Sequence, residues 1–172
     1  MTNFWLEPWD KRGPALERRA NTPEMQAFLG GVESEESIMS RHKRILDGVR
    51  DGTTGFYLIM VDDCEDPVGS VGYWEKEWLG QTVFEMGWKV LPGFQGRGLA
   101  VGATIAAIGL AAAEGRRRFA HAYPKVDNAA SNAICRKAGF ELLGECDFEY
   151  PKGHPIRCND WRFDLKEVGG PP

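Results

Sequence analysis

Glu85-Met86-Gly87-Trp88-Lys89-Val90-Leu91-Pro92-Gly93-Phe94-Gln95-Gly96-Arg97-Gly98-Leu99-Ala100 passes from a strand pattern to a helix pattern through a glycine-rich bend. From Thr82 to Leu91 the side chains alternate. Phe84, Met86, Trp88 and Val90 share one face, and Val83, Glu85, Gly87 and Lys89 the other. Pro92 ends the strand, and from about Gly96 to Glu114 the pattern turns helical, with Ala and Gly on all sides as suits a helix packed closely on a sheet. Between the two, Gln95-Gly96-Arg97-Gly98-Leu99-Ala100 brings backbone N–H groups into the space before a helix start. Free N–H groups and the positive helix end make an anion site suited to phosphate, to which Arg97 adds a charge. The glycines alone also fit a tight turn without a ligand. Other phosphate-binding loops match less well. A dinucleotide fingerprint needs a third glycine where Val101 stands, and no Gly-Lys-Ser/Thr follows.

Upstream, Phe56 to Val61 reads as an apolar strand stopped by an acidic turn, Asp62 to Pro67. Val68 to Trp74 is a second strand, joined by a hairpin-like connection to Thr82–Leu91. Downstream, Phe119 to Lys125 is a short strand. Asp127 or Asn128 caps a helix that stops at Gly139, with Phe140 packing back. Two last strands, about Glu141 to Tyr150 and Ile156 to Leu165, flank the turn Pro151 to Pro155. The first fifty residues read as mostly helical. Pro14 sits in a first turn, Thr22 caps before Pro23, and Ser34 with Glu35 and Glu36 opens a helix whose Ile38, Ile45, Leu46 and Val49 share a face. The order predicts an α/β fold, with residues 1–168 as one domain around a mixed sheet and 169–172 as a frayed tail.

Composition bounds the function. The chain has 172 residues, room for one domain that buries a core without disulfide or metal staples. Lys and Arg number 21 against 25 Asp and Glu, a net charge of −4, which argues against a nucleic-acid coat. No apolar run reaches the roughly 18–20 residues of a membrane span, and no secretory signal is visible. Cys64, Cys135, Cys146 and Cys158 form no CxxC pair and read as reduced cytoplasmic thiols; three scattered histidines argue against a metal site. Glycine is in excess, 21 of 172 residues, about 12% against a usual 7% or so.

Gln95-x-x-Gly98-x-Ala100 resembles the Q/R-x-x-G-x-G/A motif of the GCN5-related N-acetyltransferases (GNAT). Glu85-Met86-Gly87-Trp88 is similar to the E-x-G-Y/W strand that precedes it in the ribosomal-protein N-terminal acetyltransferase branch. Val126-Asp127-Asn128-Ala129-Ala130-Ser131-Asn132, then Gly139-Phe140, is similar to its V-x-N-x-x-S-N…G-F helix. The resemblance covers about Phe56 to Phe163. It implies a mostly antiparallel central sheet flanked by helices, with the Thr82–Leu91 and Phe119–Lys125 strands splayed around acetyl-CoA. Backbone groups at Val90 would bond the pantetheine arm, and Gln95, Gly96, Arg97, Gly98, Leu99, Ala100 and Val101 the pyrophosphate; Asn128, with Ser131 beside it, would meet the pantetheine end. It also implies direct acetyl transfer, through a tetrahedral intermediate, to a primary amine of a small molecule or a peptide N-terminus, with no metal. Homodimers are common in the family. A non-catalytic acyl-CoA sensor and a dinucleotide-binding module are the competing readings.

Glu85 is the candidate base, since a carboxylate in a partly apolar strand is costly unless used or paired; the bland reading is a salt bridge to Lys89 on the same face. A backbone N–H near Val90 would polarise the thioester oxygen, as the resemblance implies. The family's usual acid, a tyrosine four residues before the Gly of G-F, is Cys135 here, better read as a small core residue than a nucleophile. Ser131 matches the branch's serine and is the candidate acid, although a first-turn serine bonding the backbone explains it equally well. The branch's Glu shortly after G-F is Leu143 here. Arg116, Arg117 and Arg118 read as a solvated helix end rather than a phosphate site, and Tyr150 and His154 lie where family substrates often enter.

Overall fold

The computed structural model describes residues 2–169. Of the tail expected to fray, only Gly169 falls within them. The chain runs β1 (Phe4–Pro8), α1 (Gly13–Ala20), α2 (Glu35–Asp51), β2 (Thr54–Val61), β3 (Cys64–Trp78), β4 (Gln81–Val90), α3 (Leu99–Glu114), β5 (Phe119–Ala122), α4 (Ala129–Lys137), β6 (Glu141–Glu149) and β7 (Pro155–Asp164). The strands form one seven-stranded sheet in the order β1-β2-β3-β4-β5-β7-β6. Every pairing is antiparallel except β4–β5. This is the GNAT fold expected from the resemblance.

The parallel pairing carries the functional geometry. β4 and β5 stay in register only at Phe84↔Ala120 and Glu85↔His121, after which β4 continues to Val90 without a partner on that side. On its other side β4 pairs β3 along its whole length, from Trp78↔Gln81 to Gly69↔Val90. The backbone N–H of Leu91 donates to the Val68 carbonyl at 2.8 Å. By the alternation of an antiparallel ladder, the backbone groups of Met86, Trp88 and Val90 therefore face the gap.

α3 packs on one sheet face. Leu99, Ala103, Ala107, Ile108 and Ala111 are buried against Val61, Val71, Tyr73, Phe84, Met86 and Val90. Its small residues set how close it comes: a β-carbon on Gly102 would lie 2.7 Å from the Phe4 ring, so the glycine beside the loop serves packing. On the opposite face, α1 and α2 bring Leu16, Ala20 and Ile45 onto Trp9, Leu58, Met60 and Leu91. This face is the one that carries Glu85.

The N-terminal third corrects the sequence reading of a mostly helical start. Phe4–Pro8 is an edge strand, Phe4↔Val61 to Pro8↔Tyr57. Its alternation is only five residues long, and Pro8 is tolerated because an edge strand needs no donor on its open side. Thr22 caps only a turn, its Oγ accepting from the Met25 N–H at 3.3 Å, and no helix follows Pro23. The acidic stop at 62–67 shrinks to a turn at Asp62-Asp63 because a register irregularity between Ile59 and Val61 lets β3 begin at Cys64, with Pro67 inside it. α3 starts at Leu99 rather than near Gly96, since Gly96 and Gly98 take left-handed φ values of 75° and 77°.

Candidate active site

Gly96 and Gly98 have open space around them, so their backbone angles, rather than crowding, call for glycine. The bend they make leaves the N–H groups of residues 96 to 101 without a hydrogen bond among the described residues; the helix ladder begins with Gly102 N–H to Gly98 O at 3.0 Å. Four of these donors, at residues 98 to 101, are the orphans of any helix start, and the loop adds those of Gly96 and Arg97. Gln95 to Gly98 are exposed, Ala100 and Val101 half-buried, and Leu99 is anchored in the core. The groove beside the loop, about 640 Å³, is lined by Thr2, Asn3, Asp62, Asp63, Gly96 and Arg97. Arg97 donates to the Gly93 carbonyl at 3.0 Å and lies over the Phe94 ring. The Gln95 amide donates to the Val90 carbonyl at 2.9 Å, tying the loop to the end of β4 and occupying that carbonyl.

On the other side of the gap, Asn128 caps α4 by accepting from the Ser131 N–H at 3.1 Å. Ser131 is half-buried, and its hydroxyl makes no side-chain hydrogen bond among the described residues. Asn132 ties this end of α4 to the sheet. Its amide donates to the Lys125 and Asn128 carbonyls, and its oxygen accepts from Asn159 and from Trp161 Nε1, both at 2.8 Å. Cys135 is fully buried and its thiol is pushed up to about 12 by desolvation, which suits a core residue and not a nucleophile.

Glu85 sits at the last paired position before the gap opens. Burial pushes its carboxyl above the ordinary range, while the charge of Lys76 and a hydrogen bond from Trp74 pull it back. Trp74 Nε1 donates at 3.1 Å and Lys76 Nζ stands 3.7 Å away. The salt bridge to Lys89, the bland alternative, does not form; the cation beside Glu85 is Lys76. Four residues along a strand span about 13 Å, whereas a neighbour diagonal across the ladder lies about 7–8 Å away. Lys76, opposite Val83, has that diagonal position, and Lys89 instead donates to Glu17 at 2.6 Å. Glu17 also binds Arg41, which bridges to Glu33, so α1, α2 and β4 are tied together beside the gap.

Sequence reading missed the remainder of this face. His121, paired in register with Glu85, is buried and shares a hydrogen bond of 2.6 Å between Nδ1 and Asp160. Trp78 Nε1 donates to the other Asp160 oxygen at 3.1 Å. The Tyr123 ring stacks on His121 and Phe148, and its buried hydroxyl has no partner among the described residues. Burial and the nearby Asp160 and Glu85 charges hold that hydroxyl firmly protonated. The available signal was parity: Ala120 and Ala122 face the core, so His121 must share a face with Glu85.

Other candidates lie apart from the gap or in plain structural roles. Arg116 and Arg117 bind Glu75, and Arg118 binds Asp164. Tyr150 is partly exposed, with Arg41, Glu33 and Arg44 near enough to influence its hydroxyl. His154 is exposed in the hairpin turn, its N–H bonded to the Pro151 carbonyl. A β-carbon on Gly30 would lie 2.8 Å from Pro151, so this hairpin tip meets the connection between α1 and α2.

A loop of unpaired N–H groups, an open strand edge leading from it and a carboxylate where that edge begins are the kinds of group an acyl-CoA-dependent transferase needs. The pyrophosphate suits the loop donors and the pantetheine amides suit the strand edge. The family model of the acetyltransferase (GNAT) domain matches residues 3–141, and the chain belongs to that family. It is accordingly an acetyl-CoA-dependent N-acetyltransferase. No curated protein sequence matches. Among solved structures, the acetyltransferase from Salmonella typhimurium that modifies the N-terminal serine of ribosomal protein L7/L12 is 22% identical, with a TM-score of 0.74 over 95% of this chain and 96% of its own. The ribosomal-protein-S5-alanine acetyltransferase from Vibrio fischeri is 12% identical, with a TM-score of 0.79 over 99% and 97%. Aminoglycoside acetyltransferase AAC(6')-Ib, solved with coenzyme A, is 15% identical, with a TM-score of 0.76 over 95% and 96%. Among the described residues no helix is long and apolar enough to cross a membrane, and no His, Cys, Asp and Glu cluster could hold a metal.

Proposed function

We propose that the chain moves the acetyl group of acetyl-CoA to a primary amine, on a small molecule or a peptide N-terminus, that reaches Glu85 from the face carrying His121 and Tyr123. The carrying observation is the run of unpaired N–H groups at 96–101 leading to the open edge of β4. Gly96, Arg97, Gly98, Leu99, Ala100 and Val101 hold the pyrophosphate. Val90 offers its N–H to the pantetheine arm, while Gln95 positions the loop through the Val90 carbonyl. Asn128 borders the pantetheine end.

Glu85 takes a proton from the acceptor ammonium, directly or through a water. The neutral amine attacks the thioester carbonyl, whose oxygen is stabilised by a β4 N–H, and Ser131 gives a proton to the leaving sulfur. Tyr123, protonated and unpartnered, donates a hydrogen bond to the acceptor. Residues 1–168 form one catalytic domain, and four free cysteines suit a reducing, cytoplasmic compartment.

CoA release measured across a panel of amines and peptides tests this reading, alongside thermal shifts with acetyl-CoA and NADPH. Saturation at 100 times Kd adds about 2.7 kcal/mol of stability. Stabilisation by acetyl-CoA and turnover with a primary amine are expected. Binding without turnover for any acceptor indicates a sensor, and stabilisation by NADPH alone refutes the acyl-CoA site.

A further inference from the structure

The amine nearest the candidate base belongs to the protein. Lys76 Nζ lies 3.7 Å from Glu85 and above three aromatic rings, 4.5 Å from the centroid of Phe148, 5.8 Å from Tyr123 and 6.0 Å from Trp78. The rings come from β3, the segment after β5, and β6, and they pack on one another, with Trp78–Tyr123 and Tyr123–Phe148 centroids 4.7 and 4.8 Å apart. Trp78 is further fixed by its bond to Asp160. Rings on several sides and a carboxylate beside them form a receptor for an ammonium group. Here a side chain on β3 fills it, at the point where β4 and β5 part.

This placement meets the needs of an acetyl acceptor: an amine held in one position, a carboxylate to deprotonate it, and the thioester entering along the adjoining strand edge. We propose that Lys76 is a self-acetylation site, the enzyme's own intramolecular acceptor when no other amine is bound. The inference rests on the acetyl transfer at Glu85 proposed above. Glu85 takes one proton from the Lys76 ammonium. The freed electron pair on Nζ forms the N–C bond to the thioester carbon, and the carbonyl π pair moves onto oxygen. As the carbonyl re-forms, the C–S bond breaks, the sulfur leaves with that pair, and the second Nζ proton passes from the nitrogen to the sulfur to give the free thiol. Acetyl-CoA and lysine become acetyl-lysine and CoA, with no further reactant. The product has lost its positive charge, so the ion pair with Glu85 and the contact with the three rings both go. Self-acetylation therefore removes the resident cation from beside the base, and leaves Glu85 with burial and Trp74 as its remaining influences.

The proposal is tested on the full chain by incubation with isotope-labelled acetyl-CoA and no acceptor, followed by intact-mass and peptide analysis over time. One acetyl per chain at Lys76 is expected, with a rate per molecule independent of protein concentration. Glu85→Gln slows that labelling about 100-fold or more, and Lys76→Arg abolishes it. Lys43, whose side chain is 78% exposed, reports ordinary chemical acetylation, equal in wild type and Glu85→Gln. Protein isolated with unlabelled acetyl on Lys76, absent from Glu85→Gln isolated in the same way, supports the proposal equally. A thermal melt of Glu85→Gln near the wild-type value shows that the loss is not unfolding. Turnover of an added amine with no acetyl on Lys76 overturns the self-acetylation and leaves the transferase reading standing. Labelling of Lys76 that survives Glu85→Gln and ranks with exposure among the lysines also overturns it. No labelling, no turnover and no stabilisation by acetyl-CoA overturn the transferase reading beneath.

Discussion

Replacing Glu85 by Gln separates catalysis from architecture at the site. The amide has the same shape, and its oxygen still accepts from Trp74 Nε1, which donates at 3.1 Å in the native protein. What disappears is the charge and its pair with Lys76, whose partners' side chains are 18% and 27% exposed. A pair still reached by solvent contributes under about 1 kcal/mol. The opposing effect is relief of the burial that already holds the Glu85 carboxyl above its ordinary value. These two nearly cancel, so stability changes by less than about 1 kcal/mol, or about 2–4 °C in melting temperature for a chain of this size. Loss of a general base costs about 10²–10⁴-fold in rate, equivalent to about 2.7–5.5 kcal/mol. The kinetic effect is thus several times the structural one.

The pH dependence has a definite sign. Because burial raises the carboxyl, wild-type activity falls on the acid side at a pH above the usual carboxylate range. Glu85→Gln lacks that limb, and its deficit is greatest between the Glu85 pKa and that of the acceptor amine. Above the latter the amine is already neutral; below the former the wild type has itself lost the base. The assay is thiol release from acetyl-CoA against pH at saturating acceptor, with acetyl-CoA affinity measured separately and expected unchanged. A variant within about threefold of wild type, with the acid limb intact, removes Glu85 as the base.

Lys76→Met takes the compensating charge from Glu85, so the acid limb moves to higher pH, read from the same profile. Gly98→Ala puts a β-carbon on a residue with φ of 77°; it costs about 1–2 kcal/mol by denaturant titration and weakens acetyl-CoA binding by calorimetry, whereas Gly98→Asn costs less. Asn132→Ala removes the acceptor of the buried Trp161 Nε1 along with the Asn159 contact. It destabilises by at least about 2 kcal/mol, and a melting temperature unchanged within 2 °C or so refutes that role.

What the sequence makes legible here follows the range of the interactions involved. The 95–100 loop, the Asn128 cap and the Gly139 stop are local chemistry: their residue types state the backbone angles and orphan donors they serve. Strand parity is equally local, and it correctly divides β4 into a core face and the Glu85 face. Partnerships are not local. Glu85 and Lys89 share a face in the sequence, yet the strand's rise separates them, and the cation that meets Glu85 comes from the neighbouring strand. His121 looks like one of three scattered histidines until β5 is laid beside β4 and β7 behind it, which brings Glu85 into register and Asp160 within 2.6 Å. The edge strand β1 is hidden for the same reason, since five residues ending in proline become a strand only because β2 offers an unpaired edge. On the proposed reading, donor recognition is written in one contiguous stretch, while acceptor handling is distributed over β3, β4, β5, β6 and β7 and depends on register. Substitutions in the loop should consequently act on acetyl-CoA affinity one residue at a time, and those on the Glu85 face should couple, because Lys76, Tyr123, Phe148 and Asp160 share neighbours.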